Sequence, residues 1–264
     1  MMLANKSAVV YGAAGHIGSA VARAFARDGA RVFLAGRTLD KVQKVAAEIS
    51  AEGGAAEAAE VDALDKAAIE RHLDQIVGQA GGIDVSFNAI SIRGDLQGTP
   101  LVDMTLGNFT TPVLMGVTTH FLTGTAAARH MVKRGSGVIL TLSSSGAGLS
   151  GRDQMFHSTG GFGVACSSIE SLSRTLAGQL GPRGIRVVCL RSDAIPEAWP
   201  AEFEQQLPEQ YRKTKTYMEQ STVLGRLPTL SEVAGAAVFA ASDRSSAMTG
   251  AIVNLTCGSI MDKD

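Results

Sequence analysis

Seven short runs of β-branched and apolar residues recur along this chain, each separated from the next by a longer stretch, and that alternation leaves few folds open. The runs are SAVVY (7–11), RVFLA (31–35), AAEAAEV (55–61), IDVSF (83–87), GVILTLS (137–143), IRVVCL (185–190) and AIVNL (251–255). Helical periodicity falls between most of them, near 16–28, 39–51, 65–79, 108–134, 158–180 and 231–241. Strands this apolar are buried on both faces, which requires helices on both sides of a parallel sheet. The expected fold class is α/β, a doubly wound parallel sheet forming one domain over residues 1–264. Only 191–228, with four prolines among charged and amide side chains, breaks the rhythm. It is expected to be a mobile flap over a pocket.

Composition narrows the functional classes. Net charge is −1 and there is no arginine stripe or basic cluster, so nucleic acid is not an expected partner. No apolar run reaches the roughly 18 residues of a spanning helix, and no membrane association is expected. Cys166, Cys189 and Cys257 are odd in number and far apart, which fits free thiols in the cytoplasm and no metal site.

The segment VVYGAAGHIGSAVARAF (9–25) places glycines where a strand turns into a helix. Backbone N–H groups at such a turn, with a helix N-terminus behind them, can face a pyrophosphate. Gly12, Gly15, Ile17 and Gly18 are the candidate contacts, which makes this a dinucleotide-binding Rossmann domain. The second strand ends in Ala35-Gly36-Arg37-Thr38, with no acidic residue to receive a ribose 2′-hydroxyl. Arg37 offers a planar fork suited to a 2′-phosphate, which points to NADP(H); the alternative is a solvated loop arginine.

This turn and its context resemble the short-chain dehydrogenase/reductase family, and the resemblance runs through nearly the whole chain. Laid on the family's Thr-Gly-x-x-x-Gly-x-Gly turn, Tyr11 takes the threonine place, Gly12 and Gly18 match, and His16 stands at the middle glycine, pointing outward or donating to the pyrophosphate. The resemblance implies that Asp62 contacts the adenine and that Asn88-Ala89 represents the Asn-Asn-Ala-Gly signature, with Ile90 in place of its glycine. RHMVKRGSGVILTLSSSGAG resembles the helix and strand before the catalytic serine, which makes Ser144 its counterpart, with Ser143 and Ser145 as near alternatives and a polar strand exit as the plain reading.

The family's tyrosine and lysine are missing in every register. Counting thirteen residues from Ser144 gives His157, with Gly161 at the lysine place. Gap-free alignment on ESLSRTLAGQLGPRGIRV gives Phe162 and Cys166, and the longer spacing of enoyl reductases gives Thr159 and Cys166. Tyrosines occur only at 11, 211 and 217, and no lysine lies between Lys133 and Lys213. Gly116 replaces a helix asparagine, Ser192-Asp193 replaces the Pro-Gly beneath the nicotinamide, and Glu197 stands where a threonine touches the carboxamide.

The expectation is an atypical NADP(H)-dependent oxidoreductase acting on a carbonyl or activated alkene. His157 is the candidate acid and Ser144 the residue that orients the substrate oxygen; Tyr211, Tyr217 or water are the other proton sources. Alternatives of another class are a silent nucleotide-binding scaffold and a non-redox lyase or isomerase. Gly160, Gly161 and Gly163 are expected to widen the pocket. A homo-oligomer, dimer or tetramer, is expected through the small-residue helices at 108–134 and 158–180.

Overall fold

The computed structural model describes residues 1–149 and 158–261. Seven strands, β1 (Ser7–Tyr11), β2 (Arg31–Gly36), β3 (Ala55–Glu60), β4 (Val85–Asn88), β5 (Gly137–Ser144), β6 (Ile185–Ser192) and β7 (Ile252–Leu255), form one sheet in the order β3-β2-β1-β4-β5-β6-β7. All six pairings are parallel. The order reverses between β1 and β4, and in such sheets a ligand crevice opens outside the carboxyl ends of the strands at that switch point.

Helices α1 (His16–Arg27), α2 (Leu39–Ala51), α3 (Lys66–Ala80), α4 (Leu106–Arg134), α5 (Gly160–Leu180) and α8 (Leu230–Ala241) flank the sheet. Alternation along β1 divides the core. Ala8 and Val10 pack with Val21, Phe25 and Ala237 on one face, while Val9 and Tyr11 pack with Ile69, Leu73 and Ala127 on the other. Local chemistry sets the helix ends. Asp65 accepts from Ala67 and Ala68 N–H to start α3, a Thr229–Glu232 capping box starts α8, and Gly135 at φ 70° ends α4. No helix among the described residues is long and apolar enough to cross a membrane.

The segment expected to be a flap over 191–228 begins later than the sequence indicated. Arg191 and Ser192 belong to β6, because Ser143 and Ser144 of the longer β5 pair with them. Beyond β6 the chain folds into α6 (Ala201–Gln206) and α7 (Pro208–Gln220). Trp199 and Tyr211 meet edge to face at 5.3 Å between ring centroids, and Phe203 packs 5.5 Å from Tyr211.

Candidate functional site

Tyr11 ends β1 between Ala35 of β2 and Asn88 of β4. The chain then turns at Gly12 with φ +73°, and the Gly12 and Ala13 N–H groups both donate to the Ala35 carbonyl. A Cβ on Gly12 would stand 2.7 Å from the Ala89 carbonyl oxygen, and one on Gly18 would stand 2.3 Å from that of Gly12. The turn and helix therefore approach to a closeness that only glycine allows. Gly15 begins α1 without a side-chain cap, and no acidic residue occupies its first turn. The N–H groups of His16, Ile17 and Gly18 precede the first intrahelical bond, Ser19 N–H to Gly15 carbonyl, and offer an anion their donors and the positive end of the helix. That donor set fits a pyrophosphate. The His16 side chain is exposed, in keeping with its outward reading.

Arg37 follows β2 directly and is exposed, with no ion-pair partner among the described residues. Asp62, beyond β3, is exposed and accepts the Leu64 N–H at 3.0 Å. Asn88 is buried, and its amide is engaged within the protein. Its Nδ2 donates to Thr123 Oγ1 at 3.0 Å and its Oδ1 accepts the Ile90 N–H at 3.0 Å. Its side chain thus ties the loop after β4 to α4. The Ala89 N–H donates to the Tyr11 carbonyl.

At the ends of β5 and β6 the three consecutive serines part company. Ser143 Oγ donates to Glu170 Oε1 at 2.8 Å, and Ser145 Oγ donates to Asp193 Oδ1 at 2.9 Å. Ser144 is half-buried and accepts the Gly146 N–H at 3.3 Å, while its own hydroxyl proton is claimed by no described acceptor. Of the three, Ser144 is therefore the serine whose hydroxyl proton no described acceptor takes.

Phe162 and Cys166 both lie on α5. A Cβ on Gly146 would come within 3.2 Å of two Phe162 ring carbons, and the ring also borders Gly94. Cys166 is fully buried, and burial pushes its thiol up to about 12, so it is core and not a nucleophile. One turn further on, Glu170 receives Arg191 Nε at 2.7 Å and Nη2 at 2.8 Å. On α4, His120 Nδ1 lies 2.8 Å from the Gly116 carbonyl and Nε2 lies 3.5 Å from the Leu142 N–H, an arrangement that suits the Nδ1–H tautomer. Burial pushes this imidazole down to about 4, so it is neutral.

His157 lies outside the described residues. Of the tyrosines, Tyr11 is buried with its hydroxyl unpartnered among the described residues, and burial raises its pKa; Tyr211 joins the aromatic cluster; Tyr217 is exposed on α7. Glu197 Oε2 accepts the Leu230 N–H at 2.9 Å, which commits it to the start of α8.

The expectation that the α5 glycines widen the pocket is corrected, since neighbouring groups take up the space. A Cβ on Gly161 would sit 1.9 Å from the Phe109 carbonyl oxygen, and one on Gly163 would sit 2.4 Å from Thr159 Oγ1. The small residues of α4 are likewise used inside the domain. Gly116 faces Ala165 and Ile169, and Gly124 faces Leu176. Sequence reading missed Glu170, Arg191 and His120. The visible signal was a glutamate in the middle of α5, Glu170, and an arginine closing the apolar run VVCL, Arg191.

Residues 12–259 match the family described as Enoyl-(Acyl carrier protein) reductase. The chain is 31% identical over 252 residues to the uncharacterized oxidoreductase YxbG of Bacillus subtilis (strain 168), covering 94% of this chain and 88% of that one. It is 27% identical over 258 residues to the 3-oxoacyl-[acyl-carrier-protein] reductase FabG of Chlamydia muridarum, covering 97% and 98%. The crystal structure of a short-chain type dehydrogenase/reductase from Mycobacterium marinum superimposes with a TM-score of 0.83 at 31% identity, covering 98% of this chain and 97% of that one.

Proposed function

Because this chain belongs to the short-chain dehydrogenase/reductase family of oxidoreductases, whose members bind nicotinamide nucleotides, we propose that it uses NADP(H) on a carbonyl or activated alkene through a non-standard active site. The observation that carries this reading is the uncapped start of α1 at the switch point, together with Arg37 after β2, which has no ion-pair partner among the described residues. The α1 N–H groups would hold the pyrophosphate, and the Arg37 guanidinium would bind the 2′-phosphate. When bound, the nucleotide supplies or accepts hydride. Ser144 donates a hydrogen bond to the substrate oxygen, and His157 is the proposed proton donor.

A second reading, a nucleotide-binding protein without turnover, is favoured by Phe162 and Cys166 at the tyrosine and lysine places. Calorimetry with NADPH and NADH, followed by a hydride-transfer assay over a carbonyl and enoyl panel, separates the two. Tighter NADPH binding with turnover that falls about 100-fold in His157→Phe supports the oxidoreductase. Binding without turnover supports the second reading, and no binding of either nucleotide overturns both.

The homo-oligomer reading rests on outward apolar residues and not on the small ones. Leu106, Leu114 and Phe121 recur at seven- to eight-residue spacing on α4 and are exposed, as is Val164 on α5. A single-chain mass by light scattering at micromolar concentration would remove it.

A further inference from the structure

Beyond the ends of β5, β6 and β7, three segments converge on one carboxylate. Asp193 directly follows Ser192, the last residue of β6. Its Oδ1 accepts Ser145 Oγ at 2.9 Å and the Ala194 N–H at 2.7 Å. Its Oδ2 accepts Ser259 Oγ, from the turn after β7. All three donors are uncharged, and no cation among the described residues pairs with Asp193. Arg191, two residues earlier, differs in this respect, since its charge is taken up by Glu170. Hydroxyl and amide donors hold a carboxylate in place without cancelling its charge, so this strand end presents a fixed net negative charge in a half-buried setting.

The location gives that charge a consequence. A doubly wound sheet binds the two mononucleotide halves of a dinucleotide across its switch point. The glycine turn after β1 takes the pyrophosphate, and the half built on β4, β5 and β6 faces the other mononucleotide. Asp193 belongs to that second half. A nicotinamide ring is cationic when oxidised and uncharged when reduced, so a fixed anion near it acts on the two forms unequally.

We infer that Asp193 is a charge-selective element of the cofactor site, which favours the oxidised, pyridinium-bearing nucleotide over its reduced form. The inference rests on the proposed binding of a nicotinamide nucleotide and adds to it which redox form the site prefers. The Asp193 carboxylate would stabilise the positive charge of a pyridinium ring held there and would do nothing comparable for the uncharged reduced ring. The effect makes the bound couple a stronger reductant than the free one, which assists a site lacking the family's tyrosine and lysine.

The test is the ratio of dissociation constants for NADPH and NADP⁺, measured by fluorescence and calorimetry with wild type, Asp193→Asn and Asp193→Gly. Asparagine keeps the shape and one acceptor, and glycine is the residue of the family pattern. Each variant should shift the ratio toward the reduced form by about tenfold. A purely structural role in pinning Ser145 and Ser259 would weaken both forms equally, and an unchanged ratio would overturn the inference. Failure of wild type to bind either form would overturn the cofactor reading instead. Should neither variant fold, the wild-type order decides: NADP⁺ binding tighter than NADPH supports the inference, and the reverse order rejects it.

Discussion

Arg191 and Glu170 form a two-pronged ion pair inside the domain, with each side chain only 6% exposed. The pair joins β6 to α5 one turn beyond Cys166, and Ser143 adds a third bond to Glu170. Removing two charges from water costs several kcal/mol per ion, and here the charges offset each other. Either Glu170→Ala or Arg191→Ala should therefore lower stability by about 3–5 kcal/mol, because each removes one partner of a buried ion pair. The double replacement Glu170→Leu with Arg191→Met should cost much less than the two single losses added together. Urea denaturation midpoints measure all of these, and strict additivity would show that the pair is not coupled.

Arg37→Ala should weaken NADPH binding by about 1–3 kcal/mol, the scale of a charge-assisted bond, and leave NADH binding almost untouched. Equal losses for the two nucleotides in calorimetry would reject Arg37 as the 2′-phosphate ligand.

Two buried histidines should make the fold sensitive to mild acid. Burial pushes His120 and His72 down to about 4 from an ordinary value near 6.5, with Glu57 partly opposing the effect at His72. Between these values the unfolded chain binds more protons than the folded one, so stability is full above pH 6.5 and falls as pH drops toward 4. Each histidine should cost about 2 kcal/mol by pH 5. Chemical denaturation at pH 7 and pH 5 should show this slope in wild type and a shallower one in His120→Gln. The same slope in the variant would exclude His120 as its source.

Gly161 and Gly178 lie on one helix and should respond oppositely to alanine. A Cβ at Gly161 would enter the Phe109 carbonyl, so Gly161→Ala should destabilise by about 1–3 kcal/mol through overpacking. Nothing lies within 4 Å of a Cβ at Gly178, and Gly178→Ala should stabilise by up to about 1 kcal/mol through helix propensity. Thermal melts of the two variants distinguish them, and a stable Gly161→Ala protein would mean that α4 and α5 can separate.

The architecture, the glycine turn after β1 and the absence of tyrosine and lysine between 134 and 210 were legible in the amino-acid order alone. Alternating strand and helix periodicities, and the glycines at 12, 15 and 18, are local signals that need no knowledge of distant partners. The missing tyrosine and lysine were equally plain, because no register supplies residues the chain does not contain between 134 and 210. The duties of the remaining polar residues came from packing. Glu170 meets Arg191 across 21 positions, Ser145 meets Asp193 across 48, and Asn88 commits its amide to Thr123 across 35. The same packing uses the α5 glycines for contact with α4 and Thr159, where the sequence suggested open space. Such pairings depend on which strand ends lie side by side in the sheet, and register between segments far apart in the chain is set by the whole core and not by any local spacing.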